Sequence, residues 1–138
     1  MRFVYDESKT QRIINHEERM LKTYSEIVGS YSSLFKQCDC SLEVGLLWID
    51  SSTGKRSDRR LPFRAGYACY VYCEVQRDGK EVRLKSMDGE ADYYSLSATW
   101  MVSSIEKSFF RAKATLYSDA EDAENDMKEL LRLLSDSQ

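Results

Sequence analysis

An α+β fold is what the sequence predicts, on three observations: apolar residues recur at helical spacing over residues 6–37, alternate with polar ones within 41–97, and return to helical spacing over 103–135. The expected architecture is a long N-terminal helix, a four-stranded antiparallel meander sheet and two C-terminal helices packed on that sheet. At 138 residues, 42% of them apolar and 31% charged, residues 1–138 are read as a single domain with its own core.

In the first element Ile13, Met20, Ile27 and Leu34 form one row, and Ile14, Leu21, Val28 and Phe35 form a second beside it. Tyr24 and Tyr31 fill the space between, so all of these side chains share one side of a helix. A helix of roughly 28 residues would be about 42 Å long, against a diameter of ~37 Å for a compact chain of this size. Gly29-Ser30 marks a place where it could kink or stop.

Residues 41–50 put Leu42, Val44, Leu46 and Trp48 on one face and Glu43, Gly45, Leu47 and Ile49 on the other, which predicts a well-buried strand. Residues 51–65, with Thr53-Gly54 and Leu61-Pro62, read as a long polar surface loop. Two Asp-Gly pairs, Asp78-Gly79 and Asp88-Gly89, then supply type I′ turns to a meander. Folding about the first pairs Val75 with Val82, Glu74 with Arg83, Cys73 with Leu84 and Tyr72 with Lys85. Folding about the second sets Leu84 beside Tyr93 and Lys85 beside Asp92.

The last third carries two helical stripes. Val102, Ile105, Phe109, Ala112 and Leu116 make the first, with Ser103 and Glu106 at capping-box spacing; Ala120, Ala123, Met127, Leu130 and Leu134 make the second, with Ser118 and Glu121 in the same relation.

Net charge is −3, so no global field draws the chain to nucleic acid. No apolar run is long enough to span a membrane, and the first residues do not read as an export signal, which leads to an expected cytoplasmic location with the four cysteines as thiols. Cys69 and Cys73, four residues apart on one strand face, lie about 13 Å apart and are too distant to share a zinc ion. They read as core thiols, with Cys38-Asp39-Cys40 as a corner, and no metal or other cofactor is expected. His16 is the only histidine and reads as a residue lining the helix seam. The nucleophile-elbow, zinc-protease, dinucleotide and P-loop motifs are all absent. Lys55, Arg56, Arg59, Arg60 and Arg64 form the densest basic stretch and the candidate anion or nucleic-acid contact. The acids of the last helix, Asp119 to Glu129 in part, read as a solvated face.

In layout alone, the element order resembles that of RWD-type interaction domains and of small acidic secretion chaperones. It brings no site residues with it. The function expected is a non-enzymatic protein-interaction module, an adaptor, chaperone or inhibitor, binding a partner protein and self-associating as a homo-oligomer, with a dimer favoured. The expected face is Ile13, Met20, Leu21, Tyr24, Ile27, Val28, Tyr31 and Leu34, whose apolar surface exceeds what a small sheet need cover. The alternatives are a single-stranded nucleic-acid binder through residues 55–64, and a ligand-binding protein or enzyme with a pocket lined by Trp48, Tyr93, Trp100 and the thiols.

Overall fold

The apolar rhythm of the opening segment is interrupted where Gly29 stands. In the computed structural model, which describes residues 7–85, 93–108 and 111–136, α1 covers Glu7–Gly29 and a separate short helix, α2, covers Ser32–Lys36. The expected single helix over 6–37 is therefore two. The Ser30 amide reaches back to the Glu26 and Ile27 carbonyls while its hydroxyl donates to Ile27 O at 2.6 Å, a tight turn that redirects the chain. That turn lets Phe35 enter the core at 0% exposure.

A Schellman closure ends α2. The Cys40 amide bonds Phe35 O, the Asp39 amide bonds Lys36 O, and Asp39 takes the left-handed conformation with φ 58°. Buried Cys40 and Phe35 supply the apolar contact that accompanies this motif, so the Cys38-Asp39-Cys40 corner delivers the chain directly into the first strand.

The strands are β1 (Ser41–Asp50), β2 (Lys55–Ser57), β3 (Tyr67–Arg77), β4 (Lys80–Glu81), β5 (Arg83–Lys85), β6 (Tyr93–Ser95), β7 (Ser97–Ser108) and β8 (Arg111–Leu116), followed by α3 (Glu121–Asp136). The main sheet has the order β2-β1-β3-β7-β8, with β4 beside the end of β3, and all its pairings are antiparallel. The strand expected at 41–50 is found at those bounds, but only Trp48 and Asp50 at its far end are buried, and Leu42, Val44 and Leu46 are half-buried. The loop expected at 51–65 contains β2, whose Ser57, Arg56 and Lys55 pair with Trp48, Ile49 and Asp50.

The meander differs from expectation in two ways. Asp78 (φ 53°) and Gly79 (φ 75°) do form the positive-φ turn, and Val82 N–H does bond Val75 O. Beyond Val82, however, the chain leaves the sheet, and β3 pairs instead with β7, so Glu74 and Cys73 lie opposite Ser97 and Ala98 rather than Arg83 and Leu84. The β5–β6 ribbon makes its own small sheet with Leu84 opposite Tyr94 and Lys85 opposite Tyr93, one residue out from the expected register. Its Asp88-Gly89 turn lies outside the described residues.

The first of the two closing helices is a hairpin of strands. A bulge is the physical reason: Tyr70 faces Met101 and Cys69 faces Ser103, leaving Val102 as an extra residue that also points inward. The insertion shifts the alternation by one, which creates the spacing of three between Val102 and Ile105. Spacings of four, such as Ala112 to Leu116, fit a strand as well as a helix. Ser103 and Glu106 consequently cap nothing, and the layout resemblance that required two closing helices does not hold. The second stripe is helical, with Ala123, Met127, Leu130 and Leu134 buried, and its start is capped by Asp119, whose Oδ1 accepts from the Glu121 amide at 2.9 Å, rather than by Ser118.

Both long helices lie on one face of the sheet. α1 packs on β1, β3 and β7, and α3 packs on β7 and α1. The core between them holds Val71, Cys73, Val75, Val102, Ile105, Phe35 and Met127, all nearly inaccessible.

Candidate functional site

The helix-facing side of the sheet has a charged centre. Glu17 sits midway between Ile13 and Met20 on the apolar stripe of α1 and is 0% exposed. Arg60 Nη1 donates to its Oε1, while Tyr67 OH, at 2.6 Å, and Ser103 Oγ donate to its Oε2. Tyr67 OH in turn accepts from Trp48 Nε1 and from Arg60, each at 3.0 Å. The Arg60 guanidinium lies 5.2 Å from the centre of the Trp48 ring and 5.8 Å from that of Phe63.

Burial weakens the hold of Arg60 on its proton, and the Glu17 charge more than restores it. Burial, reinforced by the same negative charge, pushes the Tyr67 hydroxyl and the Cys69 thiol up. The cluster ties α1, β3, β7 and the segment after β2 together. Its groups are occupied with one another, which makes it a structural lock rather than a base or a nucleophile poised for a substrate.

A second clamp closes the same edge. Asp50 accepts from the Ser52 hydroxyl and from Arg64 Nη2 at 2.6 Å, and these bonds lower its carboxyl to about 2. Gly66, at φ 96°, passes so close that a Cβ there would meet Asp50 Oδ1 at 2.8 Å.

The outer face of the sheet is different. The β1–β3–β7 register places Leu47, Tyr70 and Met101 in one row and Gly45, Tyr72 and Thr99 in the next, with Ile49, Ala68 and Ser104 beyond. Leu47, Ile49, Tyr70, Tyr72 and Met101 are half-buried, and no described helix packs over them. Tyr72 lies across Gly45, so close that a Cβ there would meet its hydroxyl at 2.9 Å. Burial and the acids Glu43, Glu74 and Asp58 raise the Tyr72 hydroxyl, so this side of the patch has an acidic rim.

The residues expected to form the partner face divide. Ile13, Met20, Tyr24 and Val28 are in the chain's own core and cannot touch a partner; Leu21, Ile27 and Tyr31 are half-buried; Leu34 on α2 is 41% exposed. The excess apolar surface expected of the opening helix is thus mostly used internally. Tyr24 stacks on Trp100 at 4.9 Å and donates to Asp119 O. Of the basic stretch, Lys55, Arg56 and Arg59 are exposed, but Arg60 is held by Glu17 and Arg64 by Asp50, so the five do not form one free patch.

The pocket expected from Trp48, Tyr93, Trp100 and the thiols is not assembled. Trp48 is taken by Tyr67 and Arg60, Trp100 by Tyr24 and Asp126, and Tyr93 stands 60% exposed on the ribbon. Cys69 and Cys73 are buried under the helices, where burial pushes the Cys73 thiol up to about 12. His16 is 3% exposed; its Nε2 donates to Tyr117 O at 3.0 Å and its Nδ1 accepts from Arg19. Among the described residues no cluster of His, Cys, Asp and Glu is placed to hold a metal ion, and no helix is long and apolar enough to cross a membrane.

Glu17 was readable in principle. A charge at the centre of a helical stripe demands a buried partner, and only a nonlocal cation could provide one. The outer patch also left a trace, because residues 41–50 and 67–77 carry apolar or aromatic residues on both faces, with Leu47, Ile49, Tyr70 and Tyr72 on the outward one. No family model matches the chain, and neither a curated protein nor a solved structure resembles it significantly.

Proposed function

We propose that this chain is a non-enzymatic protein-interaction module, an adaptor, chaperone or inhibitor that docks a partner protein on the outer face of its sheet and also self-associates. The observation that carries the reading is the uncovered row of Leu47, Tyr70 and Met101, flanked by Tyr72 and Ile49. A sheet with one solvated face ordinarily alternates apolar inward with polar outward, and a contiguous apolar and aromatic patch on the solvated side marks an interaction surface. Tyrosine suits such a surface because it brings large contact area together with a polar handle.

The acids Glu43, Glu74 and Asp58 along one side of the patch favour a partner whose own apolar patch is edged there with basic residues. Free thiols throughout support a cytoplasmic setting for this work.

The test is affinity capture with the wild-type chain beside Tyr70→Glu, both checked for equal thermal stability. A partner captured by the first and lost by the second supports the reading. Equal capture by both refutes docking at this face.

A further inference from the structure

Three edges of the sheet are defended unequally. β2 is three residues long and carries Lys55 and Arg56, while β8 carries Lys113 in mid-strand. Short length and cationic side chains are the devices by which edges avoid further pairing. Residues 41–47 of β1 have neither, because β2 covers only Trp48, Ile49 and Asp50. Among the described residues no strand pairs with the side of that stretch facing away from β3, and its sequence Ser-Leu-Glu-Val-Gly-Leu-Leu has one charge and no proline.

Hydrogen-bond parity fixes what the edge offers. Val75 directs its N–H to Leu96 O and accepts on its carbonyl from Val82, both away from β1. Its neighbours Glu74 and Gln76 therefore point toward β1, where they face Glu43 and Ser41. In β1 it follows that Leu42, Val44 and Leu46 present their N–H and C=O groups outward.

We infer that a second copy of this chain occupies the edge, pairing antiparallel about a two-fold axis at Val44. The interface belongs to the self-association part of the proposed function and rests on it. In this register Val44 faces its own counterpart and Leu42 faces Leu46, giving three hydrogen-bonded pairs with about six backbone bonds. On the outer side each Glu43 faces the second copy's Gly45, where there is no side chain to meet and where the Tyr72 hydroxyl lies within reach; Tyr72 OH is already 3.5 Å from Glu43 in its own chain.

The neighbouring registers fail. Shifting two residues one way sets Glu43 against Glu43, and like charges directly opposite are destabilising. Shifting two residues the other way requires the Trp48 backbone, which already pairs with Ser57. On the helix side, α2 packs against β1 and presents Leu34, so pairing brings the most exposed leucine of the chain toward the second copy. The result is a continuous sheet with both outer faces on the same side.

Two measurements test this together. Sedimentation of the wild-type chain between about 1 and about 100 μM should show an average mass rising about twofold, and Val44→Lys, folded by circular dichroism, should stay monomeric. Hydrogen exchange on the wild-type chain should show the Leu42, Val44 and Leu46 amides gaining at least about tenfold protection as concentration rises, with the Glu43 and Gly45 amides unchanged. A wild-type chain that is monomeric throughout overturns both the self-association and the edge. A dimer that survives Val44→Lys, or whose three edge amides are no better protected, leaves self-association standing and overturns the β1 interface.

Discussion

The two faces of one sheet obey different rules in this molecule. The inner face is closed by α1 and α3, and Glu17, the most deeply buried charge among the described residues, is answered by Arg60, Tyr67 and Ser103. The outer face holds Leu47, Tyr70, Tyr72 and Met101 in adjacent rows, half-buried, with no described helix packed over them. Buried polar groups and exposed apolar ones are the two informative departures from the ordinary partition of side chains, and here they lie back to back. The inner departure is resolved within the chain. The outer one remains open, and on this account a partner resolves it.

Substitutions on the two faces should therefore separate stability from binding. The largest effect belongs to Glu17→Ala, which strands Arg60 and removes the acceptor of Tyr67 and Ser103; a loss of about 3–5 kcal/mol in urea denaturation is expected. A loss under about 1 kcal/mol would mean that the cluster is looser than its geometry. Tyr24→Ala, deleting the stack on Trp100 and the bond to Asp119 O, should cost about 3 kcal/mol by the same measurement.

The Asp50 clamp gives a pH signature. Its carboxyl is lowered to about 2 by the Ser52 hydroxyl and then Arg64, from 3.8. A depressed folded-state value stabilises the native form above the ordinary carboxylate range, and that contribution is lost as pH falls from about 4 through about 2. Asp50→Asn should lower stability at neutral pH by about 1–2 kcal/mol and flatten the acid limb of a stability-against-pH curve. An unchanged acid limb would show that the clamp is not formed in solution. Smallest of all, Tyr70→Glu on the outer face should alter stability by no more than about 0.5 kcal/mol while abolishing partner capture, sharpening the contrast between the faces.

What the sequence disclosed follows the range of the interactions involved. β1 and α3 were legible because their signals are local: alternation bounded by a Schellman corner for one, a stripe with a polar cap for the other. The strand pair at 97–116 was not, since the Val102 bulge imitates helical spacing and appears only when β7 is laid against β3. The Asp78-Gly79 turn was legible, but not the exchange of partners above it, because the long β7 offers β3 a far longer ladder than β5 could. For the candidate site, the rows on α1 were visible while their destination was not. The count of apolar residues could not reveal that Met20, Tyr24 and Val28 are consumed by the core, nor that the uncovered surface lies on the opposite side of the sheet.

The central claim is that the outer sheet face, not the outside of α1, meets the partner. A photoreactive phenylalanine analogue placed at position 70 in one variant and at position 18 on α1 in another, irradiated in cells, tests it most directly. The account predicts covalent adducts with another protein from position 70 and none from position 18; adducts from position 18 alone would contradict it.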